Sequence, residues 1–467
     1  MKALLLIVFI CAFNCGLSQE VPLSISKYFS KMDKDPQFSS ATIGFYVQNA
    51  KTGKIVFAKN ENIGLAPAST LKVITSATAF ELLGKDYTFK TTIGYSGKIT
   101  NGVLDGNLII SGYGDPSFGS ERWQQTLHPE KEIATILQAK GIKKITGGIY
   151  VNDLKFGFDP IPDGWIWQDI GNYYGAGARG FNWHENQFDL FIRSADTVAG
   201  PTAIVKTEPP FLASNIFNQI STGEKNSGDN AYLYSTPYNN KIFAKGSIPA
   251  AKNNFNIKGS LPDAATSFAE VLGNYLNRAG ISHAAKYHSF GSLYLQNEPF
   301  PQQSDSLQTI YSPILDSINY WFLQKSVNLF GEAFLKMMAV EKSKSGLTDS
   351  GVSVVRNFWA DRQIEKNELK IIDGSGLSPA NRVTVKALVK ILSYAKQQTW
   401  FPRFYDALPV IHGIKMKSGY ISNARAYAGF ITNKKGEEFT FAIIVNNIDG
   451  SPTTSKEKIW QLLDLLK

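Results

Sequence analysis

Residues 64–84 read Gly64-Leu65-Ala66-Pro67-Ala68-Ser69-Thr70-Leu71-Lys72-Val73-Ile74-Thr75-Ser76-Ala77-Thr78-Ala79-Phe80-Glu81-Leu82-Leu83-Gly84. Pro67 has a fixed φ that suits the first turn of a helix, and Gly84 closes the apolar run as a C-terminal stop. The stretch therefore predicts a single buried helix with a loop at each end. Ser69 and Lys72 are three positions apart, so both side chains lie on one face of that helix.

The pair formed by Ser69 and Lys72 has the chemistry of an activated nucleophile. A serine hydroxyl is a poor nucleophile until a neighbouring base takes its proton, and a lysine is such a base only when its amine is partly neutral. Because burial lowers the pKa of a lysine from about 10.4, an apolar helix face favours the neutral amine. Backbone N–H groups at the helix N-terminus would face a developing oxyanion.

This spacing alone is not decisive, because it recurs in the chain. Further copies of Ser-x-x-Lys lie at Ser24/Lys27, Ser393/Lys396 and Ser455/Lys458. We interpret those three as solvated or half-buried helix faces, since a match with two fixed positions is common by chance. What distinguishes Ser69 is its apolar flank and two motifs further along the chain.

The two downstream motifs are Ser326-Val327-Asn328, in an apolar helical stretch, and Lys417-Ser418-Gly419, ahead of two strand-like runs. Each has a competitor: Ser317/Asn319 repeats the first pattern, and Lys51-Thr52-Gly53 repeats the second. The second competitor fills a predicted hairpin turn, where glycine supplies a positive φ. Taken singly, Ser326/Asn328 also fits a buried polar pair whose hydrogen bonds are made within the core. Lys417–Gly419, taken singly, also fits a simple turn.

The length and composition predict a folded protein of two or three domains. The chain has 467 residues, of which 43% are hydrophobic and 12% aromatic. Its net charge of +9 is dispersed, and no Lys/Arg cluster interleaved with aromatic residues argues for nucleic acid. The histidines lack the spacing of metal ligands. Gly175–Gly180 matches a dinucleotide-binding fingerprint, but the flanking residues do not predict the strand and helix that this motif needs. We therefore expect no cofactor.

The N-terminus has the tripartite form of a secretory signal. Met1-Lys2 is followed by an apolar run from Ala3 to Phe13 that is too short to span a bilayer. We predict a signal peptide over residues 1–18, with a lipid-modified Cys15 as the rival interpretation. Both cysteines, Cys11 and Cys15, lie in this leader, so the mature chain has no thiol, which fits a periplasm-like space.

The rest of the chain predicts an α/β (α+β) architecture in which one domain is split by an insertion. Helical and strand-like patterns fill residues 19–90, including an amphipathic helix over 20–40 and strands over 41–47 and 53–58. Short alternating runs dominate residues 91–297, which we interpret as a β-rich insertion of one or two subdomains. Residues 298–467 return to helices, beginning with a predicted helical stretch over 310–341, and complete the split domain.

The three motifs, in this order, resemble the signatures of the penicillin-binding protein and serine β-lactamase superfamily. With its large gap between the first two motifs, the chain resembles the low-molecular-mass class C penicillin-binding proteins. This is the D-alanyl-D-alanine carboxypeptidase/endopeptidase family, whose transpeptidase-like domain is split by a large insertion. The stretches that carry the resemblance are residues 67–72, 111–116, 164–169, 326–332 and 373–378.

The resemblance implies a role for each candidate residue. Ser69, Lys72 and Ser326 would be catalytic. The substrate-binding residues would be Asn328, Lys417, Ser418, Gly419, Tyr420, Asp169 and Tyr174. The implied substrates are peptidoglycan stem peptides, and the implied covalent inhibitors are β-lactam antibiotics. Asp169 and Tyr174 align with positions that contact a diaminopimelate side chain in relatives.

Three residues depart from the family pattern. Val327 replaces the commoner aspartate and Ser418 the commoner threonine, and both replacements keep the required chemistry. Pro379 stands where relatives often have an arginine, which removes a possible carboxylate partner and leaves the preferred stem peptide open. Arg382 is close by in sequence.

Two other functions compete with a peptidase. A β-lactamase or esterase would use the same residues with faster deacylation. A non-catalytic protein that binds the cell wall could keep the fold, but such a protein is expected to have lost Ser69, Lys72 or Lys417.

Overall fold

The computed structural model of the chain describes residues 20–125 and 127–467. The predicted signal peptide over 1–18, with Cys11 and Cys15, lies outside the described residues. Within the described residues, no helix combines the length and the apolar character that crossing a membrane requires.

The helices and strands fall into three groups along the chain. The first group is α1 (Glu20–Met32), β1 (Thr42–Asn49), β2 (Ile55–Lys59) and α2 (Lys72–Leu82). The second is β3 (Lys90–Tyr95), β4 (Lys98–Thr100), β5 (Val103–Asp105), β6 (Leu108–Gly112), α3 (Pro129–Ala139), β7 (Lys144–Ile145), β8 (Ile149–Asn152), α4 (Trp167–Ile170), β9 (Gln187–Arg193), β10 (Ala203–Glu208), β11 (Ile216–Gly223), β12 (Asn230–Thr236), β13 (Asn239–Pro249), β14 (Phe255–Ser260), α5 (Ala264–Arg278), β15 (Tyr287–Ser289), α6 (Phe290–Leu295) and β16 (Asp305–Tyr311). The third is α7 (Leu315–Gln324), α8 (Asn328–Ser343), α9 (Thr348–Ala360), β17 (Leu369–Lys370), β18 (Arg382–Val383), α10 (Val385–Ala395), α11 (Phe401–Ala407), β19 (Val410–Ile411), β20 (Ile414–Ile421), β21 (Ala424–Thr432), β22 (Glu438–Asn446) and α12 (Pro452–Asp464).

A six-stranded sheet joins the two ends of the chain, in the order β19-β20-β21-β22-β1-β2. Residues 441–445 of β22 are all apolar because both faces of the strand are covered there. Phe441, Ile443 and Val445 face the core that α1 and α12 close. Ala442 and Ile444 face a second core, which the helices around α2 and α8 close. This packing brings β1 and α2 beside elements that are hundreds of residues later in the sequence.

The stretch that carries Ser69 and Lys72 is a buried helix with a tighter first turn. Ala68–Leu71 forms a 3-10 turn, and α2 continues directly from Lys72. The prediction of one helix between Pro67 and Gly84 is therefore confirmed in position, except that Ser69 lies in the 3-10 turn. Gly84 has a φ of +88°, which a glycine adopts without strain.

The middle of the chain forms several small sheets around one continuous apolar core. Its five-stranded sheet has the order β15-β8-β6-β3-β16, so β16 returns to pair with β3 at the start of the insertion. Because one core spans these sheets, we infer a single insertion rather than two subdomains. We place its limits at residues 90–311 in place of 91–297, since β16 belongs to its sheet.

The prediction of a helical stretch over residues 310–341 is wrong in its details. Residues 305–311 form β16, and two helices, α7 and α8, follow with a break between them. At the break, Ser326 has a φ of +58°, a left-handed conformation that ends one helix before the next begins. The apolar periodicity continues across this break, so the sequence pattern does not show it.

The hairpin interpretation of Lys51-Thr52-Gly53 is confirmed. These residues form the turn between β1 and β2, where Gly53 has a φ of +71°. Asn49 accepts hydrogen bonds from the Lys51 and Thr52 backbone N–H groups at 3.1 and 2.9 Å, which fixes this exposed turn.

Candidate active site

Lys72 Nζ lies among three oxygen atoms. It is 2.9 Å from Ser69 Oγ, 2.6 Å from Asn328 Oδ1 and 2.7 Å from the Ser375 carbonyl oxygen. An amide oxygen and a backbone carbonyl only accept hydrogen bonds, so they take the two N–H donors of a neutral amine. Its lone pair is then left for the hydroxyl hydrogen of Ser69. This is the arrangement that a general base requires.

The surroundings of Lys72 favour that neutral form. The side chain is fully buried, and this burial, together with the Lys417 ammonium, holds its pKa well below the usual range. The carboxyl groups of Asp373 and Glu332 oppose the shift, because each favours a protonated lysine.

The break between α7 and α8 places Ser326 and Asn328 opposite Ser69. Asn328 is the first residue of α8, and its Nδ2 donates to the Tyr174 carbonyl oxygen at 2.7 Å. This contact turns Oδ1 of the same amide towards Lys72. Ser326 is half-buried and lines the same cavity as Ser69.

Strand β20 brings the third motif to the other side of Ser69. The two-residue β19 pairs only with Ile414 and Lys415, so Lys417, Ser418 and Gly419 pair on one side only, with β21. A Cβ on Gly419 would lie 2.7 Å from the Pro67 carbonyl oxygen and 2.8 Å from Ser69 N. Only glycine therefore lets β20 approach the Ser69 turn this closely.

Lys417 is a buried cation with little compensation. Its Nζ donates to the Ser418 carbonyl oxygen at 3.0 Å, and burial lowers the pKa of Lys417 to about 7. A carboxylate that arrived beside it would favour the ammonium and strengthen its own binding.

The candidate residues meet at a cavity of about 740 Å³. Its lining includes Ser69, Ser326, Asn328, Tyr420, Asp169 and Tyr174. Lys72, Lys417, Ser418 and Gly419 lie behind that lining or beside it. Asp169 and Tyr174 are hydrogen-bonded to each other. Burial raises the pKa of both side chains, and their contact opposes that rise at Asp169 and adds to it at Tyr174. The structure thus brings together all the residues that the sequence predicted for the site.

Comparison with known proteins decides which family has this arrangement. A family model described as D-Ala-D-Ala carboxypeptidase 3 (S13) matches residues 25–413.

This chain belongs to the S13 family of D-Ala-D-Ala carboxypeptidases.

Relatives and solved structures agree with the family assignment. D-alanyl-D-alanine carboxypeptidase DacB of Haemophilus influenzae is 25% identical over 439 residues, which cover 90% of this chain and 88% of the relative. The D-alanyl-D-alanine carboxypeptidase of an Actinomadura species is 24% identical over 443 residues, covering 89% and 80% of the two chains. The crystal structure of penicillin binding protein 4 from Haemophilus influenzae superposes with a TM-score of 0.77 at 22% identity, covering 94% of this chain and 97% of that one. The predicted family and fold are confirmed, and the chain is a serine-type D-Ala-D-Ala carboxypeptidase.

The sequence did not predict a buried polar network that supports the site of this S13 peptidase. Asp373 accepts hydrogen bonds from the Trp165 indole N–H at 3.0 Å and from the backbone N–H groups of Gly376 and Ser378 at 2.8 and 2.7 Å. These contacts fix the loop over residues 373–378, in which the Ser375 carbonyl oxygen accepts the hydrogen bond from Lys72. Gly376 has a φ of +83°, and a Cβ there would lie 2.0 Å from the Ala68 carbonyl oxygen. The only sequence signal was that residues 164–169 and 373–378 resemble the family.

Lys336 is a further residue behind the site that the sequence did not predict. It lies on α8, fully buried, and its Nζ donates to the carbonyl oxygens of Asp159 and Ala178 at 3.0 and 3.1 Å. The Lys336 ammonium therefore links the two ends of the segment 159–178, which we name the strap. Burial lowers the pKa of Lys336 to about 8, against the opposing effect of the Glu332 carboxyl group. The strap carries Asp169 and Tyr174 into the cavity wall.

Replacing Lys336 by methionine is expected to loosen the strap and to affect long substrates selectively. We expect kcat/KM for a stem peptide to fall about tenfold, the loss typical of one charged hydrogen bond. Acylation by a small β-lactam, which does not reach the strap wall, should change less than about threefold on the same basis. Lys342→Met is the matched control, because Lys342 is exposed on the same helix. Equal losses for both substrates would contradict this role.

The pKa of Lys417 leads to a pH prediction. Its ammonium form exists below about pH 7 and is lost as the pH rises through that value. Substrate carboxylates should therefore bind best at or below neutral pH, and KM should rise by up to about tenfold per pH unit above the pKa. Measuring KM from pH 6 to 9 tests this, with Lys417→Met as the variant that should give a high KM independent of pH. A KM that falls as the pH rises would contradict it.

Arg382 does not replace the arginine that is absent at position 379. Its Nη1 donates to the carbonyl oxygens of Pro379 and Asn381 at 2.7 and 2.8 Å, and the side chain borders a different surface pocket. Pro379 itself lines the active-site cavity. The cavity lining therefore contains the Asp169 carboxyl group, but it lacks the arginine that relatives often have at position 379.

The cavity continues towards a cluster of charged residues in the insertion. Glu185 pairs with Arg122 Nε at 2.8 Å. Beyond them, Lys258 Nζ lies 3.7 Å from carboxylate oxygens of both Glu121 and Asp189. His184 joins these two acids in the one group of potential metal ligands found among the described residues, but the Lys258 ammonium already lies beside both carboxylates and offsets part of their charge.

Proposed function

We propose that Ser69 attacks the carbonyl carbon between the two terminal D-alanines of a peptidoglycan stem peptide. The observation that carries this proposal is the geometry at Lys72, whose Nζ lies 2.9 Å from Ser69 Oγ and, in its neutral form, can accept the hydroxyl proton. Lys72 takes the hydroxyl proton as the new C–O bond forms. Water then cleaves the acyl-enzyme, so that two easier steps replace one difficult step.

Ser326 and Asn328 complete the acid–base chemistry in this proposal. Ser326 passes a proton to the amine of the departing D-alanine, for which its half-exposed position in the cavity wall is suited. Asn328 holds Lys72 through Oδ1 and lies at the cavity surface, where it can hold the substrate amide. Its hydrogen bond to the Tyr174 carbonyl fixes the amide orientation in advance.

The terminal carboxylate of the substrate binds to Lys417 and Ser418. Burial of Lys417 supports this role, since a buried cation without a carboxylate partner gains most from an incoming anion. The backbone N–H groups of Ser69 and Tyr420 form the oxyanion hole, and the close approach of Gly419 to Ser69 N supports their pairing. Preorganised donors of this kind stabilise charge that develops only in the transition state.

Asp169 and Tyr174 contact the side chain of the third stem-peptide residue. Their position in the cavity wall supports this assignment, and a carboxylate there favours a side chain that ends in an ammonium group. We propose that the enzyme acts as both carboxypeptidase and endopeptidase, because both reactions cleave the same D-amino-acid bond. Tyr420 lines the cavity and is 53% exposed, which supports access for a longer leaving group.

We also propose that β-lactams acylate Ser69 and that the enzyme works in a periplasm-like space after export. A solved structure of Haemophilus influenzae penicillin binding protein 4 is titled as a complex with a novel β-lactam, and its fold matches this chain with a TM-score of 0.73. A β-lactam presents a reactive carbonyl and a nearby carboxylate, the two groups that Ser69 and Lys417 are placed to meet.

Purified muropeptides provide the test of this function. The enzyme should release D-alanine from pentapeptides and should convert cross-linked dimers to monomers, and the products can be identified by mass spectrometry. A β-lactamase or esterase would instead turn over a chromogenic cephalosporin faster than any peptide. A non-catalytic protein would give no product from either substrate, which would contradict the proposal.

A further inference from the structure

The sheet with the order β11-β13-β12 has one face in the core and one face towards solvent. Leu233, Ile242 and Ala244 point into the apolar core of the insertion. The opposite face carries a row of aromatic rings, because Phe217, Phe243 and Tyr234 occupy directly paired positions on the three strands. An outward sheet face normally carries polar side chains, so this row needs an explanation.

The three rings of this row contact one another, but their exposure differs: Phe217 is exposed, Phe243 is half-buried, and Tyr234 is buried against Trp167. Phe217 and Phe243 stack with centroids 5.8 Å apart and planes 16° apart, and Tyr234 lies 6.1 Å from Phe243. Phe217 is 61% exposed. We name this row, together with Trp167, the aromatic strip.

The aromatic strip leads to the active-site cavity. Trp167 of α4 lies 4.7 Å from Tyr234, centroid to centroid, and is 61% exposed. It belongs to the strap, and its neighbours Ile166 and Gln168 line the cavity. Tyr232, on the same face of β12 as Tyr234, also lines the cavity. The strip is therefore an extension of the wall that receives the stem peptide.

The charge on this face is positive. Lys241 and Lys245 are exposed on the strand that carries Phe243, at positions that share its face. Lys245 Nζ lies 4.9 Å from the centre of the Tyr234 ring. Among the residues that share this face on the three described strands, these lysines are the charged ones. The surface thus combines flat apolar rings with ammonium groups.

We propose that the aromatic strip binds the glycan chain to which the stem peptide is attached. This inference rests on the proposed function, which makes peptidoglycan the substrate. Sugar rings present flat C–H faces that stack on aromatic rings, and N-acetyl groups add apolar methyls. The glycan also carries a lactyl carboxyl group at every peptide attachment point, and where the peptide is absent this group is an anion that Lys241 and Lys245 can pair with. Continuity with the cavity places a glycan, rather than an unrelated protein, on this face.

Binding of peptide-free glycan tests the inference separately from catalysis. The probes are glycan strands stripped of stem peptides by an amidase, with neutral N-acetylglucosamine oligomers as a second arm. The wild-type protein should bind the stripped strands, more tightly at low than at high salt, and the fluorescence of exposed Trp167 should change on binding. The Phe217→Ser variant should bind about fivefold more weakly, the loss expected for one aromatic contact. Lys245→Gln should bring the affinity for stripped strands closer to that for the neutral oligomers.

Phe217 is exposed and is not among the residues that line the active-site cavity, so its replacement should leave the fold and the catalytic site intact. Tyr311→Ser is the matched control, because Tyr311 is 56% exposed on a different sheet of the insertion. It should bind glycan as the wild type does. Hydrolysis of a soluble D-Ala-D-Ala peptide should be equal in all three proteins.

Equal glycan binding by the wild type and Phe217→Ser, or no binding by the wild type, would overturn the inference. So would a change in self-association of Phe217→Ser without a change in glycan affinity, since the face would then be an interface between copies of this chain. A wild type that binds stripped strands but cleaves no D-Ala-D-Ala peptide would instead contradict the proposed function alone.

Discussion

Replacing Ser69 by alanine is expected to lower kcat for D-Ala-D-Ala hydrolysis by about 10⁵- to 10⁶-fold, as removal of a nucleophile does in other serine peptidases. The physical reason is that no described side chain other than Ser69 offers a nucleophilic oxygen within hydrogen-bond distance of Lys72 Nζ. Substrate binding should survive, because Lys417 and Asn328 are untouched. The measurement is the initial rate of D-alanine release from a pentapeptide.

The chain offers a matched control for this substitution. Ser393 also precedes a lysine by three positions, on α10, and its hydroxyl contacts only Gln48, at 3.4 Å. Ser393→Ala should therefore retain the wild-type rate. A Ser69→Ala variant with more than about a hundredth of the wild-type kcat would mean that another group is the nucleophile.

Replacing Lys72 by methionine is expected to lower kcat by about 10²- to 10⁴-fold, the range for loss of a general base. Methionine preserves most of the buried apolar stem and removes the amine, so the effect reports proton transfer more than packing. Lys72→Arg should be equally inactive, because a guanidinium remains charged at every working pH and cannot accept the Ser69 proton.

The pH profile separates this role from a structural one. The pKa of Lys72 is held well below its usual range, mainly by burial, so the wild-type kcat should fall as the pH is lowered and the amine becomes protonated. In Lys72→Met this acid limb should be absent from the residual rate. A Lys72→Met variant that keeps the acid limb would show that a different base takes the proton.

The helix that carries Ser69 and Lys72 could be predicted because local sequence determines it. An apolar run, a proline before it and a glycine after it act within one element, and the spacing of the two side chains follows from helix geometry. The same holds for the β1–β2 hairpin, where turn chemistry at Gly53 separated the false Lys-Thr-Gly from Lys417-Ser418-Gly419.

Elements that depend on distant contacts could not be predicted from local patterns. The predicted helical stretch over 310–341 took in the end of β16, because the pairing of this strand with β3 lies more than 200 residues back along the chain and leaves no local signal. The break between α7 and α8 at Ser326 could not be predicted from the sequence, because apolar residues continue on both sides of it. Lys336 gave no signal either: one lysine in an apolar helix normally suggests a solvated face, and only the fold brings the Asp159 and Ala178 carbonyls to it.

The Ser69–Lys72 pair followed from helix spacing and the chemistry of a buried lysine, but the rest of the site was predicted through resemblance. Nothing in the residue order states that Gly419 passes within contact of Ser69 N, or that Gly376 lies against Ala68. Those approaches depend on how the central sheet packs on α2. The resemblance supplied the three motifs, and the geometry around Lys72 supplied the reason that they act together.

Intact-mass spectrometry after incubation with benzylpenicillin tests the role of Ser69 most directly. The wild-type protein should gain one penicilloyl group, peptide mapping should place it on Ser69, and Ser69→Ala should gain none. An unmodified wild type, or the same adduct on Ser69→Ala, would contradict the assignment of Ser69 as the nucleophile.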